Sequence, residues 1–554
     1  MASVHFDLGR VVAGLAAATA LLTACGPQSV PNTAPAPGGD QAAQPKTNRV
    51  VMALVPPSAE SNNPRHTSQT TMWQLKPMYE YLTGMDVNGK MIPQLATEWA
   101  LEPDGNAYRY KLRRGVQFHG GGEFTAKDVV HSWQDLAKED SLAGYQVALI
   151  RNNVEVTEAV NDYEVLVKLK QKNADVPFVI SEFQGGFEIM SKADYDRVGK
   201  DPSLAEKPIV GTGPYAMKSR AQGQNVIYER TPSKHWRITP DFPEFEFRWM
   251  REASSRMAAL LAGEIHLTTL PEDLLQQASK QGFGVATGKV PALRTMLMLR
   301  CCFFNDVKDF SKGYEPTDSP MTDLRFRKAM NKAIDRDALN KAFFSGKGEI
   351  MAVDPLHPTR PGWNPAWATR FKDEYGYDPE AAKRLIAESG KTGAKITLIQ
   401  QPVSGISGAE DMFEAVAGYW RAVGIGVESI SPDPAQVTAV SRTRGYKNHV
   451  SVAATSAGQL VSTFYHSTME SRGSKLEDAD IQRVIDELFL TLDEKKSDEL
   501  WRKLGDVIFE KHQLIPLFWL PAEAVYNTKI VADYPWPGAI SGTWTHVENI
   551  KAAK

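Results

Sequence analysis

The strongest constraint in this sequence is a change of periodicity between Leu95 and Trp133, L-A-T-E-W-A-L-E-P-D-G-N-A-Y-R-Y-K-L-R-R-G-V-Q-F-H-G-G-G-E-F-T-A-K-D-V-V-H-S-W. Pro103-Asp104-Gly105-Asn106 is turn chemistry, because glycine supplies positive φ and Asp and Asn bond back to their own backbone. Tyr108, Tyr110 and Leu112 then alternate with Arg109, Lys111 and Arg113, the period of a strand with one buried face. Gly120-Gly121-Gly122 breaks the chain again. Thr125 stands at an N-cap position ahead of Ala126, Val129, Val130 and Trp133, which recur at helical spacing. The stretch predicts turn, basic-faced strand, turn and helix, and by itself it names no chemistry.

The order of residues says more than the periodicity. It closely resembles the signature of the family 5 extracellular solute-binding proteins, the peptide- and nickel-binding receptors of ABC importers, W…DG…Y-x-F-x-L-R-x-G-V-x-F-H-D-G-x-x-x-T-A-x-D-V. A visible departure is Gly120, where the family usually has Asp. P-I-V-G-T-G-P-Y (Pro208 to Tyr215) and D-L-R-F-R-K-A-M-N-K-A-I-D-R-D-A-L (Asp323 to Leu339) are two further hallmarks. Lys234-His235-Trp236, Ser255-Arg256-Met257 with Leu260, and Gly263-Glu264-Ile265 continue the resemblance, with His266 where Asp is usual. The segment Met72 to Leu82 resembles the family's Y-E-G-L helix.

At 554 residues the chain has room for about three to four domain-sized units. A net charge of −3 excludes general attraction to nucleic acid or anionic lipid. Val11 to Leu22 is an apolar run too short for a transmembrane helix, which needs roughly 20 residues, but suited to the core of a secretory signal. Leu22-Thr23-Ala24-Cys25-Gly26 resembles a lipobox, which implies cleavage before Cys25 and diacylglycerol on its thiol. The expected division is thus a signal peptide over 1–24 and a flexible tether over 25–48, rich in Pro, Ala, Gln, Asn and Gly. The remaining cysteines, Cys301 and Cys302, lack metal-ligand spacing and read as small buried hydrophobes in a strand.

No catalytic set emerges. Gly211-Thr212-Gly213 imitates a dinucleotide fingerprint, but strand follows it rather than helix, at Val226 to Arg230. Gly390-Lys391-Thr392 ends like a phosphate loop, but Leu385 stands where glycine is needed. The 11 histidines are scattered, and neither H-E-x-x-H nor G-x-S-x-G occurs. His119 reads as a satisfied structural histidine, and Asp335 and Asp337 as solvated helix charges. The chain reads as a binding protein rather than an enzyme, with no cofactor and no metal.

The resemblance implies an α/β, two-lobed periplasmic-binding-protein fold of class II type, large and three-domain, with mixed sheets and a hinge. Domain I would take 49–84, 205–293 and 528–554, domain II 85–204, and domain III 294–527. Ligand contacting both lobes would favour the closed state, which the importer's permease subunits would read while separate ATPases supply energy. The expected location is the periplasm or the outer face of the cytoplasmic membrane, lipid-anchored, as a monomer. Peptide-binding relatives hold the ligand's α-amino group with an Asp near a Gly-Trp pair, yet Ser451 to Phe464 contains no acid. That weakens the peptide reading without displacing it: a neutral polar ligand such as an oligosaccharide, or another small organic solute, would suit Thr455, Ser456 and Gln459, helped by an aromatic such as Trp73, with Thr71 and Met72 as further candidate ligand-binding residues. Glu410 or Asp411 could replace the missing acid. A lipid-anchored hydrolase or a signalling receptor is the alternative of another class.

Overall fold

The computed structural model describes residues 46–554 except 58–59, 67–71, 142, 175, 199–208, 307–308, 316–317, 361, 401–408, 433–435, 438–439, 441–444, 457–475, 492 and 539–543. In chain order the principal strands are β1 (Arg49–Leu54), β2 (Ala96–Leu101), β3 (Ala107–Leu112), β4 (Val154–Asn161) and β5 (Glu164–Leu169). Then come β6 (Tyr215–Ala221), β7 (Asn225–Arg230), β8 (Glu244–Trp249), β9 (Leu267–Thr268) and β10 (Gly284–Thr287). The last group is β11 (Leu293–Arg300), β12 (Glu349–Ile350), β13 (Lys395–Ile399), β14 (Gly426–Ile430), β15 (His449–Ser456), β16 (Ile515–Leu520) and β17 (Glu523–Tyr526).

They form three main sheets. A seven-stranded sheet runs β10-β17-β9-β1-β8-β7-β6, a four-stranded sheet β2-β3-β5-β4, and a six-stranded sheet β12-β16-β11-β15-β13-β14. The first two make lobe one and the third makes lobe two. β1 is apolar from Val50 to Leu54 because both of its faces are covered there. Val50, Met52 and Leu54 pack with Tyr228, Phe245 and Phe247 on one side, while Val51 and Ala53 pack with Met257, Leu260 and Ile265 on the other. In β11, Met296 and Leu297 likewise enter opposite cores of lobe two.

The signature region folds as its pattern predicts. β3 pairs with β2 and β5, and α1 (Ala126–Leu136) follows. Thr125 opens α1 in a reciprocal capping box with Asp128, and Val129 and Trp133 sit in the core over the four-stranded sheet. In lobe two, the Asp323 side chain caps the helix Leu324–Lys332 by accepting from the Arg325 amide. Phe326, Ala329 and Met330 then point into the core, where each large apolar side chain contributes about 1.5–3 kcal/mol.

Three details differ from the sequence reading. The expected helix between Met72 and Leu82 is only a 3-10 turn, Met72–Gln74, followed by turns; Pro77 has no amide hydrogen to continue a helix. Cys301 and Cys302 lie just beyond β11, not within a strand, and though fully buried they are joined in a disulfide. Glu523–Tyr526 falls in the segment expected for domain III, yet its hydrogen-bonded pairing with β9 and β10 places it inside the first sheet.

Candidate functional site

The direction of the strands locates the site. β8 and β9 run parallel to β1, and β10 shares that direction because both β9 and β10 are antiparallel to β17. All four strands therefore end at the edge where the chain leaves lobe one, through 288–292, to enter β11. In lobe two, β15 is antiparallel to β11, with Ser456 opposite Leu293, and β13 and β14 run parallel to β15. Their C-terminal ends point back toward the crossing. Two sets of strand ends thus face one another across the hinge, the position at which open α/β sheets take ligands.

The hinge itself is a pair of adjacent segments. The Gly288 amide donates to Ala522 O at 2.9 Å and the Ala292 amide to Leu520 O at 2.8 Å, so the outgoing and returning chains are bonded to each other. Lys289 and Val290 donate to Trp536 O and Pro537 O, tying the crossing to the C-terminal segment. A side chain at position 288 would meet Gly538 Cα at 2.7 Å, which explains glycine there.

The residues proposed from sequence fall as follows. Cys25, Thr71 and Gln459 lie outside the described residues. Thr455 and Ser456 are the last two residues of β15, opposite Arg294 and Leu293, at the end that faces lobe one. Met72 is fully buried. Trp73 packs edge-on against Phe247 and Trp249, with ring centroids 5.0 and 5.8 Å away. These rings belong to the last three residues of β8, so Trp73 stands in the aromatic packing beneath the cleft-facing edge of lobe one. Glu410 and Asp411 are exposed in the first turn of the helix Ala409–Ala422.

Sequence reasoning missed three features beside the cleft. Arg294, the second residue of β11, makes an ion pair with Asp354 at 2.9 Å. Asp354 belongs to the loop after β12, which also carries Arg360. The Arg360 guanidinium lies 5.5 and 5.7 Å from the ring centroids of Phe178 and Phe183, across in lobe one. Nothing in the local pattern of L-H-P-T-R-P-G-W marks that arginine; only the tertiary arrangement does.

The sequence hallmarks form the scaffold under this site. Gly211 and Gly213 let their backbone lie directly on Pro77 and Met78, so that the Gly213 amide donates to Met78 O at 3.0 Å. Glu80, fully buried, accepts from Thr212 Oγ1 and Trp236 Nε1, both at 3.0 Å, and from Arg237 Nε at 3.1 Å. Burial opposes its ionisation, but hydrogen bonding by His235 and the charge of Arg237 hold its carboxyl below the usual range. His119 Nε2 donates to Gly213 O at 2.7 Å, and burial lowers its pKa to about 4 despite that bond. Glu182 pairs with Lys76 at 3.4 Å; burial raises its pKa, while the charges of Lys76, His546 and Arg237 bring it below the usual range. Among the described residues no group of three or more His, Cys, Asp and Glu side chains could hold a metal ion. No helix among them is long and apolar enough to cross a membrane.

Two α/β lobes on a paired hinge, with strand ends opposed across it, define the periplasmic-binding-protein class. The chain belongs to the bacterial extracellular solute-binding proteins, family 5, whose profile matches residues 90–474. It is 26% identical to the dipeptide-binding protein of Escherichia coli over 394 residues, 66% of this chain and 69% of that protein. It is 28% identical to heme-binding protein A of Haemophilus influenzae over 60% of each chain. Identity to di/tripeptide-binding protein 1 of Pseudomonas aeruginosa is 25%, over 79% of this chain and 83% of the relative. The fold matches that of the periplasmic binding protein DppA from Helicobacter pylori in complex with the peptide STSA, with a TM-score of 0.69, 21% identity and 91% and 98% of the two chains covered. NikA from Brucella suis in complex with Fe(III)-EDTA gives a TM-score of 0.73 at 21% identity, over 91% of this chain and 99% of that one.

Proposed function

We propose that this solute-binding protein is the capture component of an ABC importer, taking a peptide or similar small organic solute into the cleft by lobe closure and presenting the closed form to permease subunits. The observation that carries this reading is the pair of hydrogen-bonded crossings between two opposed rows of strand ends, a geometry in which one rotation opens or encloses a site. Ligand that touches both rows binds the closed state better than the open one and shifts the population by that difference. The names of the relatives support peptides as the leading solute class. The chain is anchored at the membrane surface through Cys25, acts as a monomer, and performs no chemistry on its cargo. Thr455 and Ser456 from lobe two are the residues assigned to ligand, with Trp73 buttressing the opposite edge, and no carboxylate from Ser451 to Phe464 joins them.

Native mass spectrometry of the purified protein, followed by solution scattering with and without the solute so identified, tests the reading. A co-purified peptide or small organic molecule and a smaller radius of gyration on binding are expected. A bound solute with an unchanged scattering profile refutes capture by closure.

A further inference from the structure

Besides the crossings, the lobes meet beside the hinge and again farther from it. Beside the hinge, Lys347 of lobe two pairs with Glu272 at 3.0 Å and Glu523 at 2.8 Å, and Gln276 Nε2 donates to Ser345 Oγ at 3.0 Å. Glu523 is the first residue of β17, just past the returning crossing, so this contact lies near the axis and changes little on rotation. The second place is Arg360 against Phe178 and Phe183. It joins lobe two to the part of lobe one built on the four-stranded sheet, which neither crossing enters, and opening must separate it.

Both partners are held in position before they meet. The loop bearing Arg360 is pinned at Asp354 by Arg294 and by His357 set edge-on to Trp519, and the Arg360 amide donates to His357 O at 2.8 Å. On the other side, Phe178 and Phe183 pack on each other at 4.6 Å and, with Met85 and Met91, form a small apolar cluster that Phe178 joins to the core over the four-stranded sheet. That cluster is strapped to the two-stranded hairpin of Thr83–Met85 and Met91–Pro93 by the Glu182 amide on Thr83 O and the Met85 amide on Glu182 Oε2. A guanidinium over aromatic faces is attracted by their quadrupole and shields the rings from water. Preorganisation on both sides keeps the entropic cost of that contact low.

We infer that Arg360 is the closure latch of this protein: its guanidinium docks on the Phe178–Phe183 face and holds the cleft shut without contacting the ligand. The inference rests on the closure reading above and adds a ligand-independent bias to it. The latch sets the closed fraction of the free protein, and with it the apparent affinity, because a binding-competent state that is rarer lowers affinity in proportion. Removing it should lower the closed-to-open ratio by about 2- to 30-fold, the span of cation–π energies.

Single-molecule energy transfer in the full chain reads that ratio directly, with dyes at Val160→Cys in lobe one and Leu490→Cys in lobe two, exposed by 49% and 61%. Without ligand, Arg360→Ala and Phe178→Ala should each shift the distribution toward the open state, and the double variant should shift it no further than the larger single. Arg360→Lys, which keeps the charge, should recover part of the closed fraction. Unfolding midpoints close to wild type confirm that Arg360→Ala leaves each lobe folded. A wild type that interconverts while Arg360→Ala matches it overturns the latch alone. A wild type that keeps one unchanging distance, with or without a mixture of di- and tripeptides, overturns both the latch and the closure reading.

Discussion

Arg294 and Asp354 form an ion pair at 2.9 Å with both side chains fully withdrawn from water, one residue beyond the crossing into lobe two. Removing one member of a buried pair leaves the other charge without its counter-ion, at a cost of roughly 3–5 kcal/mol. Asp354→Ala should therefore lower the urea midpoint of unfolding by a corresponding amount. A loss under about 0.5 kcal/mol, the size of an ordinary surface substitution, refutes this account.

The hallmark glycines make a paired prediction. A Cβ at position 213 would lie 2.5 Å from Pro77 O and 2.7 Å from Met78 C, both backbone atoms that cannot swing aside. Gly213→Ala should destabilise by about 1–3 kcal/mol, as overpacking does. Gly418 lies on the exposed side of the helix Ala409–Ala422 with nothing near it, so Gly418→Ala should stabilise by about 0.5–1 kcal/mol. Thermal denaturation of the two variants should move in opposite directions.

Acid should weaken the fold in two stages. The His119 pKa falls through burial from 6.5 to about 4, so the unfolded chain binds the extra proton first. Its contribution is complete above pH 6.5 and is lost as pH falls toward 4, up to about 3 kcal/mol. His512, buried and then disfavoured by Lys328 and Arg327, acts in the same direction. Glu80 and Glu182, held below the usual carboxylate range, extend the loss at lower pH. Glu188 opposes it, since burial raises its pKa. Urea midpoints between pH 7.5 and 4.5 should fall for the wild type and fall less for His119→Gln, whose amide can still donate to Gly213 O.

The acid-free stretch makes a prediction about cargo. A charge-assisted bond to an α-amino group is worth roughly 1.5–3 kcal/mol, or about 10- to 150-fold in affinity. Without that bond, N-acetylation of a bound peptide should change its affinity little, and calorimetry with the peptide and its acetylated twin measures the difference. A large loss would mean that another carboxylate, such as Glu410 or Asp411, serves the amino group.

Export makes a separate prediction. Cys25→Ser should leave the precursor without diacylglycerol, because only a thiol accepts that group. Mass spectrometry of the mature wild-type chain should find a lipid-modified N-terminal cysteine. An unmodified mature protein released from the membrane would sink the anchor.

Much of the fold was legible because local rules and tertiary packing agree. Between Leu95 and Trp133, turn residues, alternation and the cap at Thr125 all specify the same elements, and the structure follows them. Between Met72 and Leu82 the apolar residues suggest a helix, but they are buried by separate tertiary contacts, Trp73 on Phe247 and Trp249 and Met78 and Tyr79 on the Gly211–Gly213 backbone, which periodicity does not report. The membership of Glu523–Tyr526 in the first sheet was hidden for a related reason, since pairing partners more than 200 residues away leave no local trace. The cleft was legible only in part. Thr455 and Ser456 end β15 at the edge facing lobe one, where their contact with ligand is the proposal made above, whereas Arg294, Asp354 and Arg360 look in sequence like ordinary charged residues until the sheets bring them to one edge.

The place of β17 in the first sheet bears on how the protein is made. Its strand fills an interior slot between β9 and β10, with those neighbours synthesised more than 200 residues earlier. Lobe one therefore keeps a gap, with two rows of unpaired backbone groups, until residues 523–526 have emerged. Lobe two, a continuous excursion between β10 and β17, has all its own strands by residue 520 and can assemble first. A chain that stalls or is clipped before residue 523 would present that open slot to its neighbours, an edge prone to recruit stray strands. The order of synthesis thus runs against the order of assembly in this sheet, since it becomes continuous only after the other lobe has been made.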